Sequence, residues 1–152
     1  MKFYLLEPEV PGGIGENSLL TYESGKIKEV VHLHFVFEGW LGDDLVTTNP
    51  CFIVSKRLAD AISRSDLTGY VFKTVEVSTS ETFKELYPNR TLPEFKWLIP
   101  LGEVEIDGVS VVRWSEHDIC RRKSKLVVSE KAFVILKQFN INNCDITELT
   151  LK

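Results

Sequence analysis

One segment of this chain occurs twice, and the repetition constrains the fold more than any single motif does. Residues 52–77 (FIVSKRLADAISRSDLTGYVFKTVEV) and residues 126–151 (LVVSEKAFVILKQFNINNCDITELTL) align without a gap. We call the displacement that carries Phe52 onto Leu126 the repeat offset. Twelve apolar positions coincide, where random placement would give about seven. Self-similarity at a fixed offset indicates a repeated supersecondary unit, so the repetition predicts a duplicated scaffold.

Each copy has the pattern of a strand, a helix that begins after a serine, a turn and a second strand. Ser55 precedes an amphipathic helical pattern over residues 56–65, and its side chain can accept from the N–H groups of the first turn. Gly69 suits the left-handed conformation that often ends a helix. In the second copy Ser129 precedes the helix, and Asn143 occupies the position of Gly69. We therefore expect a positive φ at Asn143 as well.

The rest of the chain predicts mainly strands. Val30–Phe37 alternates along its length as a half-buried strand does, and Asp107-Gly108 is a hairpin turn signal. No linker divides the chain. We predict a single α+β domain over residues 1–152, with mixed or mostly antiparallel sheets, two or three helices, and a strand-rich part over about residues 1–50.

Composition and charge narrow the classes of partner. The apolar fraction of 43% and the charged fraction of 26% are those of a globular chain. The net charge is −4, and residues 1–50 hold eight acidic residues against three lysines. An acidic first third argues against nucleic acid, because phosphates require a basic surface. It is compatible with a basic protein partner.

Cysteine usage and hydropathy predict a soluble cytoplasmic protein without a membrane partner. Cys51, Cys120 and Cys144 are odd in number and irregularly spaced, so they match neither a metal motif nor a disulfide framework. Reduced thiols are typical of the cytosol. The apolar runs are far shorter than the ~20 residues that cross a bilayer, and no signal peptide is evident.

The segment Gly39-Trp40-Leu41-Gly42-Asp43-Asp44 is the best candidate for a partner-binding site. A tryptophan combines contact area with a hydrogen-bond donor, and two adjacent carboxylates could face a basic groove. We predict that Trp40, Asp43 and Asp44 contact a partner, with Glu38 supporting them. The alternative interpretation packs Trp40 on the core and uses the two aspartates as caps of the following turn.

Other reactive residues have weaker patterns. His32 and His34 lie on one strand face and could bind a metal with Cys120, which would make the chain a small metal or thiol enzyme. Structural histidines are the favoured interpretation, and we predict no catalytic residue, no metal and no cofactor. The basic triplet Arg121-Arg122-Lys123 is interpreted as a solvated loop, with phosphate binding as the alternative.

Several segments together resemble a known class of proteins. They are LEPEVPGGIGEN, FEGWLGDDLV, PCFIVSKRL, LTGY, ELYPNRTLPEFKWL and LVVSEKA. They resemble the predicted immunity proteins of bacterial polymorphic toxin systems, of the class that includes the immunity protein 43 and immunity protein 11 (DUF1629-like) families. The resemblance implies a protein that binds and neutralises a cognate toxin domain stoichiometrically, without a cofactor. A non-enzymatic adaptor of a secretion system is the alternative.

Overall fold

Fifteen strands and three helices follow one another along residues 1–152, all of which the computed structural model describes. About 14% of the residues are helical and about 50% lie in strands, so the α+β prediction is confirmed in its coarse form, with strands predominating. The elements are β1 (Lys2–Glu7), β2 (Gly12–Ile14), β3 (Leu19–Glu23), β4 (Lys26–His32), β5 (His34–Phe37), β6 (Leu45–Thr48), β7 (Cys51–Ser55), α1 (Lys56–Arg64), β8 (Tyr70–Lys73), β9 (Glu76–Thr79), α2 (Glu81–Leu86), β10 (Phe95–Pro100), β11 (Gly102–Asp107), β12 (Ser110–Trp114), β13 (Ile119–Arg122), β14 (Lys125–Ser129), α3 (Glu130–Leu136) and β15 (Asp145–Leu151).

Local capping chemistry fixes the helix starts as predicted. The Ser55 hydroxyl accepts from the backbone N–H of Leu58, and the Ser129 hydroxyl accepts from that of Ala132. Gly69 has a φ of +90°, as expected, but it does not end the helix as predicted, because α1 ends at Arg64 with Ser65 as its C-cap. The expectation for Asn143 is wrong, because it is not among the residues with positive φ. None of the three helices combines the length and apolar character needed to cross a membrane.

Strand pairing extends the repeat well beyond the two segments that the sequence aligns. The same repeat offset relates β6 to β13, β7 to β14, α1 to α3, and β8 with β9 to β15. The central strands agree in register as well, because β10 lies between β7 and β8 while β1 lies between β14 and β15. Leu98 of β10 pairs with Phe52 and Phe72. Leu6 of β1 pairs with the residues one repeat offset later, Leu126 and Ile146.

The two copies have therefore exchanged their leading strands. β1 precedes the first copy in the chain but pairs with strands of the second, and β10 precedes the second copy but pairs with strands of the first. We call β2–β10 the first unit, and β11–β15 together with β1 the second unit. The six strands of the second unit form a closed sheet in the order β1-β14-β13-β11-β12-β15. Each unit thus needs a strand from the other half of the chain.

Three hydrophobic clusters follow this division. One fills the first unit around Phe35, Ile53 and Phe95, and a smaller one fills the second unit around Phe3 and Val127. The largest cluster lies between the units and includes apolar residues of both α1 and α3. The repeated segments therefore form the common core, although no sheet contains strands of both repeats.

The hairpin of β3 and β4 is the main departure from the duplication. In the second unit, β11 and β12 are joined by a two-residue turn, whereas residues 15–33 separate the corresponding β2 and β5. The correspondence follows from register, because His34 pairs with Glu76 as Ser110 pairs with Thr150. The predicted single strand Val30–Phe37 is consequently divided at Leu33, with its two parts in different sheets.

Candidate functional site

Trp40 is half-buried and held from several sides. Its indole N–H donates to the carbonyl of Asp43 at 3.0 Å, and its ring meets that of Phe95 edge-on at a centroid distance of 6.1 Å. The Arg90 guanidinium lies 5.9 Å from the centre of the Trp40 ring and donates to the Trp40 carbonyl. These contacts hold Trp40 in place, and Asp43 and Asp44 follow it closely in the chain.

Asp44 joins the two units. Its Oδ1 accepts from the Ser55 hydroxyl at 2.6 Å and from Nε of Arg57 at 2.7 Å. Its Oδ2 accepts from Nη2 of Arg57 at 2.6 Å and from the backbone N–H of Asn140, beyond α3, at 2.8 Å. Burial raises the pKa of this carboxyl, but the hydrogen bonds from Arg57, Ser55 and Asn140 outweigh it and hold the pKa below its ordinary value.

Asp43 makes a second connection between the units. Its carboxylate accepts from the backbone N–H of Asn143 at 2.8 Å and from the Asn143 side-chain amide at 3.0 Å. Asp43 and Asp44 are both buried, so they do not form the acidic surface that the sequence predicted. The structure instead assigns their carboxylates to internal hydrogen bonds. Glu38 is exposed and Trp40 is half-buried, and for these two residues partner contact stays a prediction.

The second copy repeats this arrangement. Trp114 donates its indole N–H to the carbonyl of His117 at 2.8 Å. Asp118 accepts from the Ser129 hydroxyl at 2.8 Å and from the backbone N–H of Thr68, beyond α1, at 3.0 Å. We call Asp44 and Asp118 the two aspartate clamps, because each binds the serine cap of its own copy and the connection after the helix of the other. Sequence reasoning missed them, although the repeat offset carries Trp40 onto Trp114 and Asp44 onto Asp118.

The two histidines contact side chains of β9. His34 is buried, and its Nδ1 accepts from the backbone N–H of Asn17 at 3.3 Å. Nε2 therefore carries the proton and donates to the Ser78 hydroxyl at 2.7 Å, which leaves no basic nitrogen facing that hydroxyl. His32 lies 3.3 Å from the Glu76 carboxylate at the surface. Both rings thus have structural partners.

The predicted companion of the histidines, Cys120, lies elsewhere. It is buried in the cluster of the second unit, and its thiol contacts the carbonyl of His117 at 3.1 Å. Burial raises the pKa of this thiol to about 11, so the thiolate is scarce at neutral pH. No group of three or more His, Cys, Asp and Glu side chains is arranged to hold a metal ion. His32, His34 and Cys120 therefore do not converge.

The β3–β4 hairpin carries exposed apolar side chains. Its two strands pair only with each other, through a turn in which Ser24 and Gly25 both have positive φ. Leu19 is 60% exposed, Tyr22 63% and Val31 56%. A hairpin of this kind exposes both of its edges, and such edges can pair with another chain.

Comparisons with known proteins do not place the chain in a family. No protein-family model matches it, and no curated protein matches it.

Proposed function

We propose that this chain is a non-catalytic binding protein of the immunity type, which acts in the cytoplasm by blocking a cognate toxin domain through stoichiometric contact. The observation that carries the proposal is the β3–β4 hairpin, an insertion into one of two otherwise similar units. The second unit closes its sheet without such an insertion, so the scaffold itself does not require it.

The chemistry of the hairpin suits a protein partner. An isolated two-stranded hairpin is marginally stable in water, so exposing three large apolar side chains on it favours a role in association. Tyrosine is among the residues that dominate binding energies at interfaces. Glu16 and Glu29 are exposed and take part in no ion pair, against one such cation, Lys26, so the small negative excess favours a basic partner.

Replacing both Leu19 and Tyr22 by serine is expected to weaken toxin binding about 100-fold, because losing two apolar anchors costs about 3 kcal/mol. Binding would be measured by calorimetry with the toxin domain encoded by the neighbouring gene, and protection by growth of cells producing that toxin. Val109→Ser with Val134→Ser is a matched control, since both valines are exposed outside the hairpin.

Two outcomes would count against the proposal. In one, the hairpin variant binds and protects like the wild type. In the other, the neighbouring gene encodes a secretion component and no toxin, which would favour the adaptor function instead.

A second contact is proposed at Glu38 and Trp40, together with Leu41, which is 67% exposed. Glu38→Lys with Leu41→Ser is expected to weaken toxin binding about tenfold while leaving the thermal midpoint within about 2 °C, because neither side chain is buried. Trp40 is left intact, since its substitution would also disturb Phe95 and Arg90. An unchanged dissociation constant would limit the interface to the hairpin.

A further inference from the structure

A cavity of about 700 Å³ opens on the second unit, beside the hairpin of β11 and β12 and the turn between β13 and β14. Val104, Ile106 and Trp114 contribute its apolar lining. Its charged lining consists of four cations and two carboxylates: Arg113, Arg121, Arg122, Lys123, Glu103 and Glu105. The lining therefore has two positive charges in excess.

The excess charge is localised. Arg113 pairs with Glu105 at 3.3 Å, and Arg121 with Glu103 at 3.7 Å. Arg122 forms no ion pair, and its Nε is buried without a hydrogen-bond acceptor from the protein. An arginine at a cavity without an ion pair leaves its guanidinium free to bind an anionic ligand.

Lys123 beside it has an unfavourable backbone conformation. It lies in the two-residue turn between Arg122 and Lys125, with a φ of +59°. Glycine is the residue that hairpin turns prefer at such a position. The two-residue turn requires this positive φ, and the Lys123 side chain lines the cavity.

The duplication provides an internal comparison. The repeat offset carries Thr47-Thr48-Asn49, which are all uncharged, onto Arg121-Arg122-Lys123. The first unit forms the equivalent pair of strands, β6 and β7, without any of these cations. The basic triplet is therefore a specialisation of the second unit and not a requirement of the scaffold.

We propose that Arg122 and Lys123 bind the phosphate group of a small phosphorylated molecule, whose less polar remainder lies on the apolar lining beside Trp114. A phosphate monoester carries about two negative charges and three acceptor oxygens, which matches the two unpaired cations. A carboxylate would neutralise only one of them. Arginine and lysine are the side chains that phosphate recognition uses most, through charge-assisted hydrogen bonds. The proposal is independent of the toxin-binding function.

Calorimetry of the whole protein with AMP, and separately with inorganic phosphate, tests the site at physiological salt. We expect saturable binding of at least one of these probes, and a loss of tenfold or more in Arg122→Gln. Lys125→Gln is the matched control, because Lys125 belongs to the same hairpin but pairs with Glu7 and does not line the cavity. Its affinity is expected to equal that of the wild type.

Lys123→Gly separates a binding role from a structural one. Glycine relieves the positive φ, so the thermal midpoint should rise, while affinity for the phosphate probe should fall at least fivefold. The proposal is overturned if neither probe binds saturably at millimolar concentration. It is equally overturned if Arg122→Gln, Lys123→Gly and Lys125→Gln all bind like the wild type.

Discussion

Removal of residues 1–7 is expected to unfold the whole protein, although it deletes only one strand. β1 is hydrogen-bonded to β14 on one side and to β15 on the other, so its loss opens the closed sheet. Phe3 and Leu6 are fully buried, and truncating such side chains costs about 3–5 and 2–5 kcal/mol respectively. Their sum is comparable to the roughly 5–15 kcal/mol that stabilises a typical domain. Circular dichroism should show no cooperative thermal transition.

Single substitutions in β1 are expected to lower the free energy of unfolding by different amounts. Phe3→Ala should lower the free energy of unfolding by about 3–5 kcal/mol. Lys2→Ala should cost under about 1 kcal/mol, because Lys2 forms only an exposed ion pair with Glu148. A peptide of residues 1–9 added to the truncated chain should restore the transition. A truncated chain that unfolds cooperatively at the wild-type midpoint would show that the second unit does not depend on β1.

Exchange of the leading strands makes the two units one cooperative structure. The first residues of the chain pair near its end, as Phe3 does with Ser129, so the second unit cannot complete its sheet until nearly the whole chain is present. Such non-local pairing is associated with slow folding. The same exchange explains why the sequence contains no linker. Each leading strand pairs with the copy that lies further from it in the chain, so no single connection separates the two units.

The sequence predicts features set by local chemistry. The helix starts at Ser55 and Ser129 follow from neighbouring residues, and both are confirmed. The left-handed conformation of Gly69 is confirmed as well, although Gly69 lies beyond the end of α1. The expectation of a positive φ at Asn143 is wrong because a distant residue holds Asn143 in another conformation. The backbone N–H and the side-chain amide of Asn143 both donate to the carboxylate of Asp43. Tertiary hydrogen bonds of this kind leave no trace in local sequence.

The two leading strands also resemble each other in sequence, but their displacement differs from the repeat offset. Phe3, Leu6 and Pro8 correspond to Phe95, Leu98 and Pro100, which lie further along the chain than the repeat offset would place them. The displacement is larger because the β3–β4 insertion lengthens the first copy after its leading strand. A comparison that allows one insertion would therefore have extended the repeat to both leading strands.

The burial of Asp43 and Asp44 could not be predicted for a related reason. Two adjacent aspartates after a glycine are typical of an exposed turn. The residues that bury and satisfy them, Asn140 and Asn143, lie far along the chain. Only the arrangement of the two units brings these groups together.

Substituting Asp44 by asparagine is expected to lower the free energy of unfolding by about 2–4 kcal/mol at neutral pH. The substitution removes a charged acceptor that receives from Arg57, Ser55 and the Asn140 backbone, and charge-assisted hydrogen bonds are worth about 1.5–3 kcal/mol each. This loss of stability is smaller than the loss from leaving a buried cation without a partner, because the Arg57 side chain is 66% exposed. Urea denaturation measures it directly.

The other aspartate clamp is the matched control, and the pH dependence of stability tests the charge of Asp44. Asp118→Asn should cost only about 1–2 kcal/mol, because Asp118 binds Ser129 and Thr68 but no cation. Because the folded pKa of Asp44 is lowered, its contribution is complete above the unfolded value of about 3.9 and is lost as the pH falls through the folded pKa. The difference between wild type and Asp44→Asn should therefore shrink below about pH 4. Equal costs for the two variants at neutral pH would mean that Arg57 adds nothing to its clamp.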